Sequence, residues 1–238
     1  MKTLVSLIFL LIVSAQVACS KMINTQPSDS HLDEKSAILY LALGDSYTIG
    51  EGVSESDRWP VQLAALLNQA GLATEKPRII ARTGWTTDEL MAAINQQQPA
   101  DTFNLVSLLI GVNNQYRGRP VTQFRIELIQ LINKAISFAG GDTSRVFLVS
   151  IPDWGVTPFA AGRDRAKIGR EIDEFNEVIR QEAVARNILF FNITNVSRLA
   201  ASDASLLASD QLHPSGKMYR LWVEMMLPEI RALFKGHE

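Results

Sequence analysis

Two short segments near opposite ends of the chain carry residue types suited to nucleophilic chemistry. In Leu39-Tyr40-Leu41-Ala42-Leu43-Gly44-Asp45-Ser46 an apolar run stops abruptly, leaving a serine hydroxyl where a buried strand should end. Ligands bind at the carboxyl ends of strands in open α/β sheets. A serine hydroxyl is a weak nucleophile until a neighbouring base takes its proton. Asp210-Gln211-Leu212-His213 offers such a base. A carboxylate three residues before an imidazole can accept from Nδ1–H in a tight turn, which leaves Nε2 to face a hydroxyl. Pro214 follows and stiffens the backbone beyond the histidine. Taken alone, His213 reads as a surface histidine at the start of a helix. The other histidines do not compete with it, because His31 lies in a polar N-terminal stretch and His237 is next to last.

Acyl transfer to a serine also needs hydrogen-bond donors aimed at the oxygen that becomes charged. Arg82-Thr83-Gly84-Trp85 and Gly111-Val112-Asn113-Asn114 each follow an apolar run. Gly84 offers a backbone N–H where a side chain would obstruct, and the Asn113 amide can donate to the same oxygen. The Ser46 N–H, at the start of a helix, adds a third donor at the favourable end of a dipole. In isolation these read more readily as a turn glycine and polar loop asparagines. Trp85, Tyr116, Arg117 and the loop 152–159, with Trp154, also follow strands. They are expected either to line the site, stacking on a sugar or holding an acyl chain, or simply to pack.

The elements that must position these residues alternate along the chain. Strands are expected at Ile38–Leu43, Arg78–Arg82, Asn104–Ile110, Arg145–Ile151 and Ile188–Ile193, where short apolar runs end at turn residues. Helical spacing of apolar residues predicts helices at Trp59–Ala70, Thr86–Gln97, Thr122–Ala139, Asp164–Arg186 and Ser215–Phe234. Such alternation implies right-handed crossovers and a mostly parallel five-stranded sheet between helix layers, an α/β fold in one domain spanning 37–238.

The N-terminus reads differently. Met1-Lys2-Thr3 and the apolar stretch Leu4 to Ala18 resemble an export signal, too short for a comfortable membrane span. Val13-Ser14-Ala15 has the small-residue pattern of ordinary cleavage, whereas Val17-Ala18-Cys19 resembles a bacterial lipobox, with Gln16 departing from its usual aliphatic residue. Cys19 is the only cysteine in the chain, so no intramolecular disulfide can form. A lone thiol in an oxidising compartment is a liability unless it is lipidated, which favours a signal peptide at 1–18, a lipidated Cys19 and a flexible tether at 19–36. The expected location is therefore the cell envelope as an anchored lipoprotein, with a soluble periplasmic or secreted protein as the alternative. A formal charge of −2 and the absence of a basic run give no sign of a nucleic-acid partner.

Gly44-Asp45-Ser46, Gly84, Gly111-Val112-Asn113 and Asp210-Gln211-Leu212-His213 occur in the order of the four blocks of the SGNH, or GDSL-type, hydrolases. The resemblance spans Ile38 to about Phe234. It implies a three-layer α/β/α sandwich of flavodoxin-like type and ester or thioester hydrolysis without metal or organic cofactor. It assigns Ser46 as nucleophile, Ser46, Gly84 and Asn113 as oxyanion donors, His213 as base and Asp210 as its orienting acid. Two positions depart from the family pattern. Tyr47 stands where a leucine is usual, and Asn114 stands where the third block usually has an aspartate. The substrate implied is a small-molecule, glycan or lipid ester, with short acyl chains favoured because no long apolar lid is evident. A monomer is the default expectation. The competing function is a protein of this fold that binds acylated glycans or lipids with reduced catalysis. A nucleotide-binding α/β protein is a poor fit, since Gly44 to Gly52 matches neither phosphate-binding glycine pattern.

Overall fold

The strands that read as apolar runs form one parallel sheet in the order β2-β1-β3-β4-β5. The computed structural model describes residues 37–99 and 102–234. β1 (Tyr40–Gly44) and β3 (Leu105–Leu109) lie at the centre and are buried along their whole length. Their continuous apolar sequences suit strands covered on both faces. β2 (Arg78–Ala81) flanks β1, with Leu41 opposite Arg78, and β4 (Val146–Val149) flanks β3, with Val106 opposite Val146. β5 (Leu189–Phe191) closes the other edge, Phe147 facing Leu189. The strand order reverses between β1 and β3, which opens a crevice at their carboxyl ends.

Two layers of helices cover the sheet. α2 (Trp59–Gln69) and α8 (Gly216–Ala232) pack together, and α3 (Thr87–Gln97), α5 (Val121–Phe138) and α6 (Arg165–Ala185) form a second contiguous group. The expected three-layer, flavodoxin-like architecture is the observed one. Short helices follow three of the strands: α1 (Ser46–Ile49) after β1, α4 (Val112–Tyr116) after β3 and α7 (Thr194–Ser197) after β5. Trp59, Tyr40 and Phe147 meet beneath the sheet centre, with ring centroids 6.3 to 6.5 Å apart. The described residues all fall within one compact unit, Lys35–Glu238. The signal peptide, tether and Cys19 lie outside the described residues. Among the described residues no helix is long and apolar enough to cross a membrane.

Several element ends differ from expectation for local reasons. Thr86 caps its helix as expected, and Asp164 and Ser215, expected inside first turns, act as caps as well. Thr86 and Glu89 form a reciprocal capping box, the Asp164 carboxylate accepts from Lys167 N–H at 2.8 Å, and Ser215 Oγ accepts from Met218 N–H at 3.3 Å. Ile38 makes only an isolated bridge to Thr74, so β1 begins at Tyr40. β5 is three residues long where six were expected. The reason lies in β4's continuation: Ser150 Oγ accepts from the N–H groups of Ile193 and Thr194 at 2.9 and 3.2 Å, diverting them from the ladder.

Candidate active site

Ser46 owes its position to the residues on either side of it. A Cβ on Gly44 would lie 2.1 Å from Thr48 Oγ1 and 2.5 Å from the Leu109 carbonyl. Only glycine lets the chain leave β1 and turn at once over the end of β3. Asp45 caps the turn, its Oδ1 accepting from Tyr47 N–H at 3.0 Å. The rest of that carboxyl is sealed in the core, and Oδ2 has no partner. Burial raises the Asp45 pKa to about 7 against the opposing backbone hydrogen bonds. Ser46 opens α1 and is 5% exposed.

The candidate base, His213, lies in the turn before α8. Asp210 Oδ1 accepts from the N–H groups of Leu212 and His213, both at 3.0 Å, and Oδ2 lies 2.6 Å from His213 Nδ1. Closing so tight a turn puts Gln211 in the left-handed region, at φ +59°. Partial burial pushes the Asp210 carboxyl up, but the His213 ring and the two backbone N–H groups together outweigh it and hold it below the usual carboxylate range. A carboxylate at Nδ1 keeps the proton there and leaves Nε2 as an acceptor. The Tyr47 ring packs against the imidazole, centroids 5.5 Å apart. The residue that replaces the usual leucine therefore braces the His213 ring, a contact the linear sequence did not disclose.

The donor side is built on two loops tied to each other. Gly84 has φ +86°, and a Cβ there would meet only Arg117 Nη2, at 3.8 Å. The positive φ by itself favours glycine at this position. Arg117 Nη2 donates to the Gly84 carbonyl at 2.6 Å, and Asn113 Nδ2 donates to the Trp85 carbonyl at 2.9 Å. Because a carbonyl can only accept, the Asn113 amide nitrogen must face this loop, with a second N–H remaining. Neither Ser46 N–H nor Gly84 N–H donates to a protein acceptor among the described residues.

Asn114, where the family pattern has an aspartate, is fully buried beneath this loop. Its Oδ1 accepts from Thr87 N–H at 3.1 Å, and its Nδ2 donates to Thr87 Oγ1 at 2.7 Å and faces Glu127 Oε2 at 3.5 Å. Thr87 Oγ1 in turn donates to Glu127. The amide both caps α3 and supplies a donor toward a carboxylate, so asparagine suits this neighbourhood better than aspartate.

Ser46, His213, Gly84 and Asn113 share the walls of one cleft of about 180 Å³ with Tyr116 and Trp154. Ser46 and His213 line it without a hydrogen bond between them, a common state of unliganded sites that tightens in the complex. Trp85, the other aromatic candidate, is half-buried against the core and contributes its carbonyl rather than its ring. Phe159, Leu212 and Thr83 also line the cleft. Trp154 is held by Gln115, whose Oε1 accepts from its indole N–H at 2.8 Å. Beneath it, Asp153 pairs with Arg198 at 2.9 Å, and Asn176 bonds both backbone groups of Ile151. Among the described residues no group of three or more His, Cys, Asp and Glu side chains could hold a metal ion.

An unspent set of N–H donors, a serine and a carboxylate-bound histidine around one cleft can carry out acyl transfer. Residues 42–221 match the GDSL-like lipase/acylhydrolase family, so the chain belongs to that family and to ester hydrolases in general. Solved structures share the fold at low identity. TesA is 20% identical with a TM-score of 0.64, over 82% of this chain and 99% of its own. The psychrotrophic esterase EstA from Pseudoalteromonas sp. is 20% identical with a TM-score of 0.59, over 84% and 100%. An acetylxylan esterase from Geobacillus stearothermophilus is 21% identical with a TM-score of 0.62, over 84% and 95%. No curated protein sequence matches the chain.

Proposed function

We propose that the protein is a serine carboxylic ester hydrolase acting through an acyl-serine intermediate. The observation that carries this reading is the meeting in one cleft of Ser46, the Asp210-bound His213 and the unengaged N–H groups of Ser46 and Gly84. Ser46 Oγ attacks the ester carbonyl as His213 Nε2 takes its proton. The carbonyl oxygen, now negative, rests against Ser46 N–H, Gly84 N–H and the second N–H of Asn113. His213 then protonates the departing alcohol, and water enters by the same route to release the acid and restore Ser46. Asp210 holds the imidazole and stabilises its positive charge without taking the proton.

A cleft of about 180 Å³ favours a short acyl group. Aromatic walls suit a sugar ring or a lipid portion on the alcohol side. Acetyl esters of glycans therefore fit the reading, and the structurally similar acetylxylan esterase acts on such an ester. The export signal and Cys19 support a location in the cell envelope, anchored by lipid. Mass spectrometry of the mature N-terminus tests that part, and an unmodified peptide beginning at Gln16 would refute it.

The test of the chemistry is hydrolysis of p-nitrophenyl esters of graded chain length by the wild type and Ser46→Ala. The expected loss is several orders of magnitude in kcat, as for removal of other serine nucleophiles. Ser46→Ala with wild-type turnover would refute the mechanism.

A further inference from the structure

One cation at the cleft is left over from the machinery described above. The Arg163 guanidinium lies 5.0 Å from the ring centroid of Tyr116, 5.3 Å from Trp154 and 5.6 Å from Phe159, and donates to the Tyr116 hydroxyl at 3.1 Å. All three rings line the cleft that holds Ser46. Tyr116 and Phe159 remain 44% and 42% exposed, so the cluster is open to a ligand.

The neighbouring charges are all engaged elsewhere. Arg117 bonds Glu89 and the Gly84 carbonyl, and Arg165 bonds the carbonyls of Val156 and Thr157. Asp164, next in sequence to Arg163, caps α6. Asp210 holds His213. Among the described residues Arg163 has no carboxylate within ion-pair distance. Its side chain is nevertheless fixed by three π faces and a hydroxyl, which leaves further guanidinium N–H groups unsatisfied by protein. A planar fork held in place at low entropic cost is well suited to a carboxylate or phosphate.

We infer that Arg163 is a specificity-determining residue, and that the ester this site prefers carries an anionic group, a carboxylate or phosphate, that reaches the Tyr116–Trp154–Phe159 wall. The inference rests on the ester-hydrolase reading of the same cleft. The anion belongs to either the acyl or the alcohol portion, and matched pairs of esters separate the two. p-Nitrophenyl hemisuccinate against p-nitrophenyl butyrate places it on the acyl side. p-Acetoxybenzoate against its methyl ester places it on the alcohol side.

The readout is the ratio of kcat/KM for anionic over neutral ester in the wild type, Arg163→Met and Arg163→Lys. One pair should show a preference of about tenfold or more in the wild type, the usual scale of a hydrogen bond to a charged group. Arg163→Met should abolish it chiefly through KM, and Arg163→Lys should keep part of it. High salt should weaken the wild-type preference and leave Arg163→Met indifferent. If both pairs show no preference, or if Arg163→Met slows both members of a pair by the same factor, Arg163 only staples the rings and the inference is overturned. Binding of the same esters to Ser46→Ala, followed by tryptophan fluorescence, separates this from the parent reading. Arg163-dependent selective binding with no hydrolysis by the wild type would sink the hydrolase assignment and keep this one. Unselective binding would sink this one.

Discussion

Replacing Asp45 by asparagine should change how stability depends on pH while leaving the nucleophile turn in place. Asp45 caps that turn with Oδ1, an atom asparagine retains, while Oδ2 is buried without a partner. Its pKa is raised from 3.8 to about 7 by burial. A carboxyl raised in the folded state is accommodated best when neutral. Its favourable contribution is therefore complete below pH 3.8 and is lost as the pH climbs through about 7. At about 1.36 kcal/mol per pH unit the whole gap is worth about 4 kcal/mol, of which roughly 2.5 falls between about pH 5 and pH 8. Asparagine does not titrate, so that slope should vanish from the variant. Urea unfolding of both proteins at several pH values measures it, and groups common to both cancel in the difference. The slope is the readout, because the asparagine amide will have its own cost where Oδ2 sits. Stability curves for the two proteins that run parallel between about pH 5 and pH 8 would refute the reasoning, and with it the buried, unpartnered state of this carboxyl.

Two further substitutions probe the donor side. Asn113→Ala should lower kcat by about 10²–10³ with little change in KM, the usual effect of removing one oxyanion donor; a loss under about threefold would remove Asn113 from that role. Asn114→Asp, which restores the residue usual in the family, should destabilise this chain by about 1–3 kcal/mol at neutral pH, because it faces the Glu127 carboxylate and loses its donor to Thr87 Oγ1. Adding Glu127→Gln should recover much of that loss in thermal unfolding, and a double variant no more stable than Asn114→Asp alone would show that the two positions are not coupled.

Much of this architecture was legible because its signals are local. β1, β3 and β4 are short apolar runs, and Thr86 is a capping residue placed just before a periodic segment. The Asp210–His213 pair was legible for the same reason, since a three-residue spacing closes within one turn. What the linear order concealed depends on groups brought from elsewhere in the fold. β5 stops early because a hydroxyl from the end of β4 takes its N–H groups. Asn114 reads as a departure from a pattern until Thr87 and Glu127 stand beside it. The left-handed φ of Gly84 is a demand for glycine that its place in the sequence did not reveal. Trp85 and Trp154 look alike as aromatics after strands, and both pack on the core, yet only Trp154 lines the cleft. No spacing rule separates them, because the outcome depends on which way each loop turns.

The pairing of α2 with α8 has a consequence for refolding. Ser46 opens the short helix after the first strand, whereas His213 stands on the turn that leads into the last helix. Ser46 and His213 line one cleft only where α8 is seated against α2. The proposed site is therefore complete only when the two ends of the domain have met, so activity regained in a refolding experiment would report that α8 has docked on α2.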